Sequence, residues 1–224
     1  MGMVRANAVG FVLVSLMTLG CVGRRCEIWD DEYRGVVASA EANAAPGDGE
    51  IARRVLETTR SLWKSWPAYA DIREIVKKEG ENVRSAVRVE IGVAGSDTYG
   101  CVWILECRDR IVALSVRDSR LRRADIAETS WKEYKKFLAD VSALDLDSRV
   151  KLTADDSAAF FVSLCLSGRS AQFGVYGILR FADMDEPRGP FDEATRRHRA
   201  VIMRTFKLVE DAIGGGACRA PGAP

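Results

Sequence analysis

Residues 87–116 read VRVEIGVAGSDTYGCVWILECRDRIVALSV, and the fold turns on this stretch. Val87, Val89, Ile91 and Val93 alternate with Arg88, Glu90 and Gly92, the period of a half-buried strand. Residues 94–98, AGSDT, form a loop long enough for a hairpin. Residues 99–107, YGCVWILEC, are apolar on both parities, which places this second strand near the middle of a sheet. Arg108-Asp109-Arg110 then turns into a third strand over 111–116. Strands joined by turns this short run antiparallel.

Working outward, the period changes to that of helices on both sides. Over 50–66, Ile51, Val55, Leu62 and Trp66 recur at helical spacing, with Leu56 and Trp63 widening the stripe into a core face. Pro67 breaks that helix, and a second, shorter one is expected over 69–78. Downstream, 117–123 (RDSRLRR) reads as a solvated turn with four arginines, followed by a fourth strand over 124–129. Ser130 and Glu133 have capping-box spacing. Behind them Trp131, Tyr134, Phe137, Leu138, Val141 and Leu144 line one face of an amphipathic helix.

Residues 145–157 read as an acidic loop. Two apolar runs, 158–166 and 171–181, flank Ser167-Gly168-Arg169-Ser170 and make a hairpin. A long helix over 191–213 carries Ala194, His198, Val201, Ile202, Phe206, Val209 and Ile213 on its apolar face, with Gly214 at the C-cap position. The sum is an α+β fold: a mostly antiparallel sheet of five to six strands with helices packed on one face. It fits a single domain over 50–213, preceded by a tether and linker over 21–49 and followed by a disordered tail over 214–224.

The first twenty residues have a different logic. Arg5 is the one charged side chain before an apolar run over 8–20, in which only Ser15 and Thr18 are polar. Thirteen residues fall short of the ~20 needed to cross a bilayer, and a basic start before a short apolar run is the build of an export signal. Leu16-Met17-Thr18-Leu19-Gly20-Cys21 resembles the lipobox of bacterial lipoprotein precursors, with small Gly20 before the cysteine. Thr18 and Leu19 stand where that class usually has Leu and a small residue. The resemblance implies cleavage before Cys21, a diacylglycerol on its thiol, and a lipid-anchored domain outside the cytoplasm, on the cell membrane or outer membrane. Plain secretion, with general signal-peptidase cleavage, is the alternative.

Removing residues 1–20 takes away Arg5 and no acid, so 32 basic and 32 acidic residues remain. A neutral chain carries no footprint for nucleic acid. The expected partners are the membrane, through the lipid, and an envelope protein or cell-wall component.

Motifs for chemistry are sparse. Phosphate-cradle, dinucleotide, nucleophile-elbow and zinc-protease patterns do not occur, and neither does CxxC. No catalytic, cofactor-binding or metal-binding residue is therefore assigned, and Cys21 is the one site residue. His198, the single histidine, lies on the apolar face of its helix and reads as a core imidazole. Cys101 and Cys107 share a strand face about 20 Å apart, too far to pair with each other. Together with Cys165 they read as small buried hydrophobes, although either could meet Cys165 if the registers allow. The carboxylates Asp145/Asp147, Asp155/Asp156 and Asp183/Asp185/Glu186 sit in loops that need polar residues anyway. An acid/base or metal-assisted hydrolase built on those loops is the alternative to a non-catalytic binding domain.

Overall fold

The computed structural model describes positions 53, 57 and 61 and residues 67–79, 83–93, 99–117, 120–150, 157–180 and 191–214. The expectations for the leader, Cys21, the tether, the Trp63/Trp66 pair and the C-terminal tail lie outside these residues. Of the helix expected over 50–66, Arg53, Glu57 and Ser61 are described, and all three are helical and exposed.

The first continuous element is α1 (Pro67–Glu79). Pro67 stands at its first position, where the missing N–H costs nothing and the fixed φ suits the helix. Four strands follow: β1 (Ser85–Val93), β2 (Tyr99–Glu106), β3 (Ile111–Arg117) and β4 (Arg120–Asp125). Then come α2 (Glu128–Asp140), a 3₁₀ turn at Ala143–Asp145 and the two-residue β5 (Arg149–Val150). The chain continues with β6 (Ser157–Leu166), β7 (Arg169–Arg180) and α3 (Glu193–Ile213).

The strands form one sheet in the order β4-β3-β2-β1-β6-β7-β5. Six strands are antiparallel, and β5 adds a short parallel edge against β7. The expected α+β class and mostly antiparallel sheet are those of the structure. β5 falls in what reads as acidic loop, because two residues are too few to show a period. Strand β1 lies at the centre, between β2 and β6.

Ser167 and Gly168, both at positive φ, turn β6 into β7. That is the conformation a two-residue hairpin turn requires, and Gly168 adopts it without a Cβ penalty.

The expected one-face packing holds for α2 and α3. Trp131, Tyr134 and Leu138 from α2 and Val201, Ile202 and Val209 from α3 cover Val87, Val89, Val102, Ile104, Phe160, Val162, Leu164 and Phe173. The Tyr134 hydroxyl meets Thr205 Oγ1 at 2.5 Å, and Thr205 in turn donates to the Val201 carbonyl. Tyr134 is therefore the donor, and its phenol is held protonated by burial.

The opposite face is covered too. Ile72 and Val76 of α1 pack there with Ala86, Trp103, Leu105, Val112, Leu114 and Val116. Residue parity decides this: every second residue of β2 and β3 on that side is also apolar, and that apolar surface needs a cover of its own.

Two boundaries differ from the sequence reading. The fourth strand begins at Arg120, so the arginine-rich segment pairs with β3 instead of forming only a turn. The α2 helix begins three residues before Trp131. Its N-cap is Ala127, whose carbonyl accepts from Trp131 N–H at 3.1 Å, and no side chain caps it. The capping box at Ser130 is overruled because β4 ends at Asp125, and Ile126 N–H bonds back to the Ile111 carbonyl. The chain can then coil at once. Helix α3 follows expectation closely: Asp192 caps its start by accepting from Thr195 N–H at 2.7 Å, and Gly214 closes it at φ +94°.

Candidate functional site

Among the described residues, a buried cluster of polar side chains lies on the α1 face of the central strand. Arg88 and Glu90 are 1 % and 2 % exposed, although strand alternation reads them as the solvent side of β1. They form an ion pair two residues apart, with Arg88 Nε donating to Glu90 Oε1 at 2.6 Å. Arg88 also donates to the Tyr69 hydroxyl at 3.1 Å. Its guanidinium lies over two rings, 4.7 Å from the Trp103 centroid and 5.6 Å from that of Tyr69. Opposite charges at i and i+2 share a strand face, so each neutralises the other where α1 closes over them. A β2 that is apolar on both parities, paired with β1, is the sequence signal that both faces are covered.

Cys101 shares this surroundings. Burial, reinforced by the Glu90 charge, pushes its thiol up to about 12. Cys107 is pushed up to about 11, again first by burial and then by Glu79, whose Oε2 lies 3.8 Å from Sγ. The thiolate is the nucleophile, so both cysteines are inert near neutral pH. Glu79 itself gathers Arg110 at 2.5 Å and Arg123 at 3.2 Å, tying the end of α1 to the β2–β3 turn and to β4.

Other polar clusters hold elements in place. His198 is buried, with Nδ1 2.5 Å from the Ala194 carbonyl and Nε2 2.6 Å from the Asp147 carbonyl, and its ring meets Phe173 edge-on. It is a core histidine that binds α3 to the segment before β5. Arg149 grips both Asp192 oxygens at 2.7 and 2.6 Å and reaches Thr195 Oγ1 at 2.9 Å. The Asp192 carboxyl is held well below the usual carboxylate range, chiefly by Arg149 and then by Thr195. At Glu106 partial burial pushes upward, but Lys135, which donates to Oε1 at 2.8 Å, outweighs it and lowers the carboxyl.

Of the acidic loop pairs, only Asp145/Asp147 is described, and both residues are exposed. Asp145 faces Arg169 at 3.5 Å. Asp155/Asp156 and Asp183/Asp185/Glu186 lie outside the described residues, as does Cys21. No group of three or more His, Cys, Asp or Glu among the described residues is arranged to hold a metal ion.

Cys165 departs from its expected role as a plain buried hydrophobe: it is disulfide-bonded. Cys101 and Cys107 carry free thiols, so its partner lies outside the described residues. No family model matches the chain, and no curated protein matches it.

Proposed function

We propose that the chain is an exported lipoprotein of the cell envelope, anchored through acyl groups on Cys21 and carrying a non-catalytic binding domain. The observation that carries this reading is the lipobox-like run Leu16–Met17–Thr18–Leu19–Gly20–Cys21 at the end of a short apolar leader. Two or more acyl chains hold a protein on a bilayer stably, at about 0.8 kcal/mol per buried methylene.

Two features of the domain support it. The disulfide at Cys165 suits an oxidising compartment, where such bonds form and persist. No helix among the described residues is long and apolar enough to cross a membrane, which is compatible with attachment through a lipid. The non-catalytic assignment is supported by how four of the perturbed groups are used: Cys101, Cys107 and Tyr134 are committed to burial, and Asp192 to capping.

Mass spectrometry of the mature N-terminus tests the anchor. The wild-type chain should begin at Cys21, carry acyl groups and sediment with membranes, whereas Cys21→Ala should be unacylated. An unacylated wild-type chain starting elsewhere would remove the anchor. For the domain, cross-linking in intact membranes should capture an envelope partner, and turnover in a substrate screen would overturn the non-catalytic reading.

A further inference from the structure

We infer that the open edge of β4 is a docking site for an extended acidic segment of a partner protein, which joins the sheet there as one further strand. This deepens the binding-domain reading above and rests on it in taking the occupant to be a protein. The geometry of the edge owes nothing to the anchor.

Among the described residues, β4 pairs with β3 alone and ends the sheet. One bond fixes which of its backbone groups face outward. Ile126 N–H donates to the Ile111 carbonyl at 2.8 Å, and bonded pairs alternate along an antiparallel ladder. Arg120, Arg122 and Ala124 therefore exchange bonds with Arg117, Ser115 and Ala113. Leu121, Arg123 and Asp125 turn their N–H and C=O groups away from β3, which is the template an added strand needs. Solvent reaches this edge: Arg120, Arg122, Arg123 and Asp125 are exposed, and Leu121 is half-buried.

Charge selects the occupant. Arg120 and Arg122 share a face, and Arg120 lies directly across the ladder from Arg117. Like charges set opposite each other destabilise a sheet, and neither Arg120 nor Arg122 has a carboxylate partner among the described residues. Arg123 points to the other face and holds Glu79 at 3.2 Å. Arginines on an edge keep neutral and basic strands from adding to it, and the same charges admit an acidic one.

The pattern of the occupant follows from the alternation. An added strand sets its side chains opposite those of β4. Carboxylates two residues apart meet Arg120 and Arg122, and the residue between them lies beside Leu121, which packs on the α1-side core. The recognised sequence is acidic, apolar, acidic. A second copy of the chain fits less well, because antiparallel pairing of two β4 strands in full register sets Arg123 against Arg123.

The test uses the full-length protein in detergent and a short fluorescent peptide in which glutamate alternates with valine. The peptide should bind, and hydrogen exchange should slow at Leu121, Arg123 and Asp125. Replacing both exposed charges, Arg120→Gln with Arg122→Gln, should weaken binding about tenfold. A control on the peptide needs no variant. Only alternate residues of an added strand bond to the edge, so methylating the backbone amides of the valines or of the glutamates should abolish binding in one case and spare it in the other. Absence of binding, or equal effects of the two methylations, would overturn the proposal. Tighter binding of a single-stranded oligonucleotide without that protection would overturn it in favour of a polyanion surface. A peptide-free dimer that protects the same three amides would make the occupant a second copy. Failure of the peptide beside a cross-linked partner on another face would leave the binding-domain reading standing, whereas turnover in a substrate screen would sink that reading and leave the peptide measurement intact.

Discussion

The two faces of the sheet are equally dry but built differently. Under α2 and α3 the strands present Val87, Val89, Val102, Ile104, Phe160, Val162 and Leu164, an apolar surface with the partly exposed Glu106–Lys135 ion pair at the end of β2. Under α1 the same strands present Trp103, Leu105 and Leu114 around a buried Arg88–Glu90 pair and the thiol of Cys101. An apolar face tolerates changes of shape that keep its volume. A face holding a buried ion pair is tied to both partners, because removing one leaves the other charged and unsatisfied. The molecule thus has one forgiving face and one unforgiving face, and four measurements can break or sharpen that contrast.

The largest effect should be chemical. With the Cys101 thiol pushed up to about 12, its thiolate fraction is about a thousandfold below that of an open cysteine near 9. Alkylation of Cys101 by iodoacetamide at pH 8 should be slower in the folded protein by at least that factor, and urea should restore it. Equal rates in the two states would mean that the α1 face is open to solvent.

The next effect is energetic. Arg88→Met keeps much of the side chain's length but takes the guanidinium charge away from Glu90 and removes the bond to Tyr69. Stability in urea should fall by about 3–5 kcal/mol. Adding Glu90→Leu should recover most of that loss, because an apolar pair of similar volume needs no charge partner. If the double variant is no better than the single one, the cost lies in packing against Trp103 and Tyr69 and not in the loss of Arg88's charge beside Glu90. On the other face, the matching change Leu164→Met should cost under about 1.5 kcal/mol.

The same contrast explains which parts of the fold are legible in the sequence. Period alone locates β1, β2, β3, the β6–β7 hairpin and α3, since each has an apolar row long enough to show it. The Ser167-Gly168 turn and the Gly214 cap follow from the backbone conformations they must adopt. Arg88 and Glu90 are misread because a charged pair on one strand face looks solvated until its cover is known. The cover, α1, is short, and among its described aliphatics Ile72 and Val76 are the fully buried ones. Ser130 is misread as a cap because the motif is local, whereas the helix start is set by where β4 ends. His198 is legible as a core residue from its helical phase, but its carbonyl partners come from a distant loop. The disulfide at Cys165 has no local signature, because pairing depends on which chain crosses the face.

The smallest expected effect lies at the start of α3, on the border of the apolar face. Asp192 caps the helix and accepts from Arg149, and its folded carboxyl lies below the unfolded value near 3.9. A depressed folded pKa stabilises the protein fully only above the unfolded value, and the contribution is lost as pH falls through the folded one. Asp192 is largely exposed, so most of its worth is the cap itself. Asp192→Ala should cost about 1 kcal/mol at pH 6, and thermal melts should show the gap to wild type narrowing below about pH 4. A gap independent of pH would mean that the carboxylate's charge, and with it Arg149, contributes nothing beyond a neutral hydrogen-bond acceptor. High salt should trim the gap only slightly, since the cap bond to Thr195 N–H survives screening that weakens the ion pair.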